Sequence, residues 1–129
     1  RYILILSDGT LTSEVRYAAA ADPLLDFRVM VPREKGHEYD VDHLDGRWIV
    51  RSNWQAPNFR LFEAPDGGQG DRARWREVIG HREDAFIHGF EVFRDFIAVN
   101  ERSEGLRRLR ILGLDGETDF QASSDEPGL

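Results

Sequence analysis

The stretch His37-Glu38-Tyr39-Asp40-Val41-Asp42-His43-Leu44-Asp45-Gly46 looks most like a metal site, with carboxylates and imidazoles crowded into ten residues. An EF-hand loop needs oxygen ligands at alternate early positions, a glycine at the sixth and a glutamate at the twelfth. Counted from Asp40, the fifth position is Leu44, the sixth Asp45 and the twelfth Arg51, so that pattern fails. Zinc at His37 and His43 lacks a third ligand at a suitable spacing. Read as a strand, the stretch puts Glu38, Asp40 and Asp42 on one face and Tyr39, Val41 and His43 on the other. A solvated acidic strand face is the expectation, with a metal-dependent site at Glu38, Asp40 and Asp42 as the rival.

Other candidates meet similar limits. Asp66-Gly67-Gly68-Gln69-Gly70 has the glycine content of a phosphate cradle, but such a cradle must open directly onto a helix N-terminus. Asp71-Arg72-Ala73-Arg74 leads instead toward a short strand, so a hairpin connection is expected. Nucleophilic serine chemistry calls for a G-x-S-x-G elbow. None of Ser7, Ser13, Ser52, Ser103, Ser123 or Ser124 lies in that context. His81-Arg82-Glu83-Asp84 reads as a charged, solvent-facing connector with local ion pairs. No catalytic, cofactor-binding or metal-binding residue is assigned, no cofactor is expected, and substrate-contacting residues remain unassigned.

The elements that would position these groups repeat. Shifted by about 48 residues, Arg47-Trp48-Ile49-Val50 falls on Asp95-Phe96-Ile97-Ala98, and Arg60-Leu61 on Arg108-Leu109. An earlier partial copy matches Arg1-Tyr2-Ile3-Leu4 to Arg47-Trp48-Ile49-Val50. Strands are expected at Tyr2–Leu6, Glu14–Ala19, Phe27–Val31, Tyr39–Leu44, Arg47–Ser52, Phe59–Ala64, Trp75–Ile79, Phe86–Phe93, Phe96–Asn100, Leu106–Leu112 and Thr118–Ala122. Turn chemistry separates them, most clearly Asp45-Gly46, whose two residues tolerate the positive φ of a type I′ hairpin. Phe86, Phe90 and Phe93 share a helical spacing, but Gly89 between them favours a strand.

A period of about 40–50 residues holding about four strands is the signature of a β-propeller blade. The expected architecture is all-β: an incomplete propeller of about three blades, each a four-stranded antiparallel meander. Residues 1–33 supply three strands of a first blade, 37–80 a second and 84–122 most of a third. Residues 123–129 read as a linker or frayed tail.

Composition narrows the function. The net charge of −7 disfavours nucleic acid and anionic membranes as partners. There is no cysteine, which excludes disulfides, zinc–thiolate sites and a cysteine nucleophile. No apolar run approaches the roughly 20 residues that span a bilayer. No signal peptide is visible, and a cytoplasmic location is expected. The chain opens on Arg1 and enters an apolar run at once, as if cut from a longer protein.

Five motifs in order carry a resemblance. They are Leu11-Thr12-Ser13-Glu14-Val15-Arg16-Tyr17; Arg51-Ser52-Asn53 with Ala56-Pro57-Asn58-Phe59-Arg60-Leu61; Trp75-Arg76-Glu77-Val78-Ile79; His81-Arg82-Glu83-Asp84; and Gly89-Phe90-Glu91-Val92-Phe93-Arg94-Asp95. Asn100-Glu101-Arg102, Gly105-Leu106 and Leu109-Arg110 continue them. Together they resemble the N-terminal propeller of the prolyl oligopeptidase family, most of all its oligopeptidase B branch. The likeness covers residues 1 to about 115, and departs at His88, where an acid is expected.

The resemblance implies a two-domain serine peptidase in which a seven-bladed propeller caps an α/β-hydrolase domain carrying the triad. It implies hydrolysis of short peptides after Arg or Lys. None of the family's catalytic positions maps onto this chain, so the expected partner is that hydrolase domain, with short peptides as substrates. The alternative is a free-standing β-rich protein-binding module. In either case open sheet edges are expected to favour dimerisation.

Overall fold

Short apolar runs punctuated by tight turns leave each segment best placed to pair with the next one along the chain. The computed structural model describes residues 2–9, 12–113 and 118–123. Its strands are β1 (Tyr2–Gly9), β2 (Thr12–Ala19), β3 (Arg28–Val29), β4 (Tyr39–Leu44), β5 (Arg47–Ser52) and β6 (Arg60–Pro65). They continue with β7 (Arg76–Ile79), β8 (Ala85–Val92), β9 (Phe96–Ser103), β10 (Leu106–Gly113) and β11 (Asp119–Ser123). Consecutive strands pair antiparallel into three meanders: sheet one (β1-β2-β3), sheet two (β4-β5-β6-β7) and sheet three (β8-β9-β10-β11). Among the described residues no helix is long and apolar enough to cross a membrane.

The turns follow from backbone preference. Asp45 and Gly46 have φ of 52° and 78°, and Glu104 and Gly105 have 54° and 75°. Both pairs are two-residue hairpins in the left-handed geometry that the primed turn needs. All eleven expected strands are present; β4 and β5 keep the expected bounds and the others shift at one or both ends. β6 starts at Arg60 rather than Phe59 because Phe59 has a φ of 71° and closes the preceding turn. β7 starts at Arg76 because residues Arg72–Arg74 form one 3-10 turn that Trp75 caps. β3 keeps only Arg28–Val29 of the expected Phe27–Val31. β11 ends at Ser123, and the rest of the expected tail, 124–129, lies outside the described residues.

Sheet two explains the strands that lack alternation. Trp48, Val50, Phe62 and Ala64 face sheet one and pack with Val15, Met30 and Tyr39. Ile49, Leu61 and Ile79 face sheet three and pack with Ile87, Ile97, Val99 and Leu112. Successive residues of β5 therefore enter opposite cores, and both must be apolar. Burying a side chain of this size stabilises by about 1.5–3 kcal/mol. β1 differs: Tyr2 and Leu4 pack toward sheet two, whereas Ile3, Ile5 and Leu6 are exposed.

The Phe86–Phe93 segment is a strand despite its helical spacing. β8 pairs with β9 through a register shift between Ile87 and Gly89, so the glycine marks a β-bulge. Phe93 lies beyond β8 and stacks on Phe96 at 4.6 Å, closing the turn.

Candidate functional site

The acidic stretch lies along β4, and its faces are those the alternation predicts. Tyr39 is buried against sheet one, with Val41 packed beside it. On the other face Asp40 accepts from Arg51 Nη1 at 3.0 Å. Asp40 is therefore a half-buried ion-pair member rather than a freely solvated acid. Burial, and secondarily the nearby Asp8, push its carboxyl above the usual range, against the pull of Arg51. Asp42 accepts from the backbone N–H of His43 at 2.8 Å. Among the described residues no group of three or more His, Cys, Asp or Glu could hold a metal ion.

The two histidines have separate duties. His43 Nε2 lies 2.9 Å from Asp66 Oδ1, which also accepts from Trp48 Nε1 at 2.8 Å. His37 is buried, stacks on Tyr39 at 4.9 Å, and sets Nε2 2.8 Å from Ser52 Oγ. A serine 2.8 Å from an imidazole is half of a hydrolytic constellation, so its surroundings decide what it can do. Ser52 is fully buried and its Oγ also accepts from the Trp54 N–H at 3.0 Å. His37 Nδ1 has no hydrogen-bond partner, so no acid orients the ring. A triad needs an acid on that nitrogen and a nucleophile that substrate can reach. The pair therefore ties the 33–38 connector to β5. Burial, and then Arg72, lower the His37 pKa, with Glu34 opposing.

Tyr39 forms a polar junction with the backbone of sheet one. Its hydroxyl donates to Val31 O at 2.7 Å and accepts from the N–H groups of Val15 at 2.8 Å and Val31 at 3.1 Å. A phenol has one donor and two acceptor sites, so this oxygen is saturated. Sequence reading missed it because nothing local marks which backbone groups a tyrosine will meet. Nearby, Arg72 forms a bidentate pair with Glu34 at 2.8 Å on both oxygens, holding the β6–β7 loop against the connector.

The glycine-rich segment is a packed loop. Gln69 is buried, its Oε1 accepts from Gly67 N–H at 2.7 Å, and its backbone carbonyl accepts from Trp75 Nε1 at 2.9 Å. A Cβ on Gly70 would lie 2.8 Å from the carbonyl oxygen of Met30, so glycine is required there for close approach. The single 3-10 turn that follows is too short to present a helix N-terminus to phosphate.

The charged connector is not simply solvent-facing, which corrects the sequence expectation. Arg82 reaches inward to Glu101, whose side chain is 1% exposed, and Arg110 approaches the same carboxylate at 3.7 Å. Arg110 in turn makes a bidentate pair with Asp119 at 2.9 and 2.7 Å. That pair lowers the Asp119 pKa and raises that of Arg110. Asn58 Nδ2 holds the connector from sheet two, donating to Arg82 O at 2.8 Å and Glu83 O at 3.1 Å. Arg51 adds a second link, donating Nε to Ile87 O at 2.8 Å with its guanidinium 3.9 Å from the Phe59 ring centroid.

Ser7 and Ser13 are engaged away from any base. Ser13 donates to Asp8 at 3.0 Å, and Ser7 accepts from Arg33. Ser103 and Ser123 end β9 and β11, while Ser124 lies outside the described residues. What the polar side chains assemble is two inter-sheet junctions. One joins sheets one and two through Tyr39, His37–Ser52 and Arg72–Glu34. The other joins sheets two and three through Arg51, Asn58 and the Arg82–Glu101–Arg110 network.

Comparison with known proteins places this arrangement. The model of the prolyl oligopeptidase N-terminal beta-propeller domain matches residues 1–127. Dipeptidyl aminopeptidase BI of Pseudoxanthomonas mexicana is 40% identical over 121 residues, covering 93% of this chain and 16% of that protein. Protease 2 of Moraxella lacunata is 28% identical over 127 residues, covering 98% and 18%. Among solved structures, oligopeptidase B from Leishmania major superposes with a TM-score of 0.84 at 25% identity, covering 98% of this chain and 19% of that one. The chain spans less than a fifth of the length of each.

Proposed function

Because the chain belongs to the prolyl oligopeptidase family, as part of its N-terminal β-propeller domain, we propose that it serves as the access-gating part of a serine oligopeptidase acting on short peptides. The carrying observation is the family match across residues 1–127, on a chain whose polar clusters join sheets and, among the described residues, build no reachable nucleophile–base–acid set. Catalysis then belongs to an α/β-hydrolase domain elsewhere in the polypeptide, and the stacked sheets wall it off and move to admit peptides. The blades are residues 1–33, 37–80 and 84–122, and the setting is the cytoplasm.

Cleavage after Arg or Lys is the first specificity reading, supported by the likeness to an oligopeptidase B. A second reading, release of N-terminal dipeptides, is favoured by the higher identity to a dipeptidyl aminopeptidase. The longer polypeptide, assayed on amino-blocked peptides ending in Arg and on free-amino dipeptide substrates, separates them. An enzyme that cuts after basic residues turns over the blocked peptides; one that releases dipeptides needs the free amine. Turnover of neither would favour a free-standing binding module. On its own, this chain pairs through its open sheet edges as a dimer, and a monodisperse monomer across a concentration series in light scattering would contradict that.

A further inference from the structure

The two connectors between sheets are seated differently. In the first, between β3 and β4, residues 32–36 are all exposed, and His37 is the one buried residue of 32–38. Its ring fills a slot between Tyr39, stacked at 4.9 Å, and Ser52 Oγ, 2.8 Å from Nε2. The bonds that hold the connector gather around it. Ser13 N–H donates to His37 O at 2.9 Å, and Asn53 N–H to Glu38 O at 3.1 Å. The Asn53 side chain accepts from Glu38 N–H at 2.8 Å and donates to Gly36 O at 3.0 Å. Further out, Arg72 pairs with Glu34, and Arg33 reaches Thr12 and Ser7, all at the exposed surface, where such contacts hold weakly. In the second connector His81 is only half-buried, Asn58 grips the backbone and Arg82 is seated on Glu101.

The His37 slot accepts one protonation state. Ser52 Oγ already accepts from the Trp54 N–H and can exchange one further hydrogen bond with Nε2. Nδ1 is buried and has no hydrogen-bond partner. In an imidazolium both ring nitrogens are donors, so a second proton would leave a charged N–H buried and unpaired, which is costly. The charged groups that face the ring are Arg72 on the β6–β7 loop and Glu34 on the connector itself, and Glu34 already holds Arg72 through both oxygens. Tyr39 on β4 and Ser52 on β5 face it uncharged. Burial first, then Arg72, hold the ring's pKa below its ordinary value, and Glu34 opposes them.

We propose that residues 33–38 form an acid-released latch: a second proton on the His37 ring expels it from the slot between Tyr39 and Ser52, and the connector swings out while sheets one and two stay stacked. The sheets stay because the Tyr39 hydroxyl remains bonded to Val15 and Val31 above a shared apolar cluster. Burial raises the Tyr39 pKa, so that hydroxyl keeps its proton throughout. The released ring titrates near about 6.5 and the seated ring below it, so the open form binds the extra proton and gains population as pH falls. The latch is a property of this chain's own residues and does not depend on the peptidase reading.

Hydrogen–deuterium exchange of the longer polypeptide, read by mass spectrometry at about pH 7.5 and about pH 5 on either side of the free imidazole value, tests it. Rates are corrected for the intrinsic pH dependence of amide exchange. In wild type, the segments carrying the Ser13 and Glu38 amides should lose protection several-fold at the lower pH, while residues 97–99 of β9 keep theirs. His37→Gln and His37→Leu cannot titrate, and whichever folds should show the same protection of those segments at both pH values, whatever its level. Unchanged wild-type protection at the lower pH overturns the inference, as does an equal loss in the variants. A loss spread evenly over all the sheets would be global acid unfolding and would overturn it as well.

Discussion

The Tyr39 hydroxyl donates to the carbonyl of Val31 at 2.7 Å while accepting two backbone N–H groups, so one side chain at the head of β4 satisfies three backbone groups of sheet one and its exit. Sheets one and two are joined there by directional bonds as well as by apolar contact. Such a junction ties the two sheets together with fixed geometry.

Tyr39→Phe keeps the ring and removes the oxygen. It should cost about 1–3 kcal/mol, the range for leaving a buried polar group unpaired, measured by urea denaturation. A loss below about 0.5 kcal/mol, the level of an ordinary surface change, would show that the hydroxyl does not hold the junction.

Glu101→Gln keeps shape and removes charge from the Arg82–Glu101–Arg110 network. Breaking a buried pair costs about 3–5 kcal/mol. Arg82 and Arg110 retain 30% and 20% exposure, so about 2–3 kcal/mol is expected after allowing for solvent screening. The same urea titration reads it, and a neutral variant would mean that the carboxylate is dispensable.

His37 gives the pH dependence a sign. Burial lowers its folded pKa, whereas the unfolded residue titrates near about 6.5. Below that value the unfolded state binds the extra proton, so His37 withdraws stability as pH falls through the range between unfolded and folded pKa values. Thermal melts from about pH 7.5 to about pH 5, a window that brackets the unfolded value, should fall less steeply for His37→Gln than for wild type. Asp40, whose folded pKa is raised, has the opposite sign and is present in both proteins. Parallel curves would show that His37 contributes nothing to the pH dependence.

Gly70→Ala and Gly89→Ala should behave differently. The first drives a Cβ to 2.8 Å from Met30 O, whereas the second meets nothing within 4 Å. About 1–3 kcal/mol is expected for the overpacked site and about 0.5 kcal/mol or less for the open one. Equal effects in chemical denaturation would contradict the close approach at residue 70.

Legibility divided along the range of each interaction. The β4–β5 hairpin was readable because Asp45-Gly46 encodes its own backbone geometry, and strands such as Trp48–Val50 because a doubly buried sheet needs unbroken apolar runs. Phe86, Phe90 and Phe93 were ambiguous in spacing, and Gly89 decided them by marking a bulge. Phe59 reads as a strand residue in the sequence because nothing in its type foretells a left-handed backbone. The polar junctions were opaque. Arg82 and Glu101, or Tyr39 and Val15, meet only once sheets have stacked, and charge and ring chemistry alone do not name the partner. The candidate site was legible mostly in what it lacks: a serine elbow is a local pattern, whereas the buried His37–Ser52 pair is a long-range one.

Whether this chain gates a serine peptidase whose chemistry lies in another domain is tested most directly by labelling with a fluorophosphonate that traps activated serines. The reagent is applied side by side to the longer polypeptide and to the 129-residue chain. The predicted result is one labelled serine in the longer polypeptide, outside residues 1–129, and none in this chain. Labelling of Ser52 or any other serine here, or an unlabelled longer polypeptide, would contradict it.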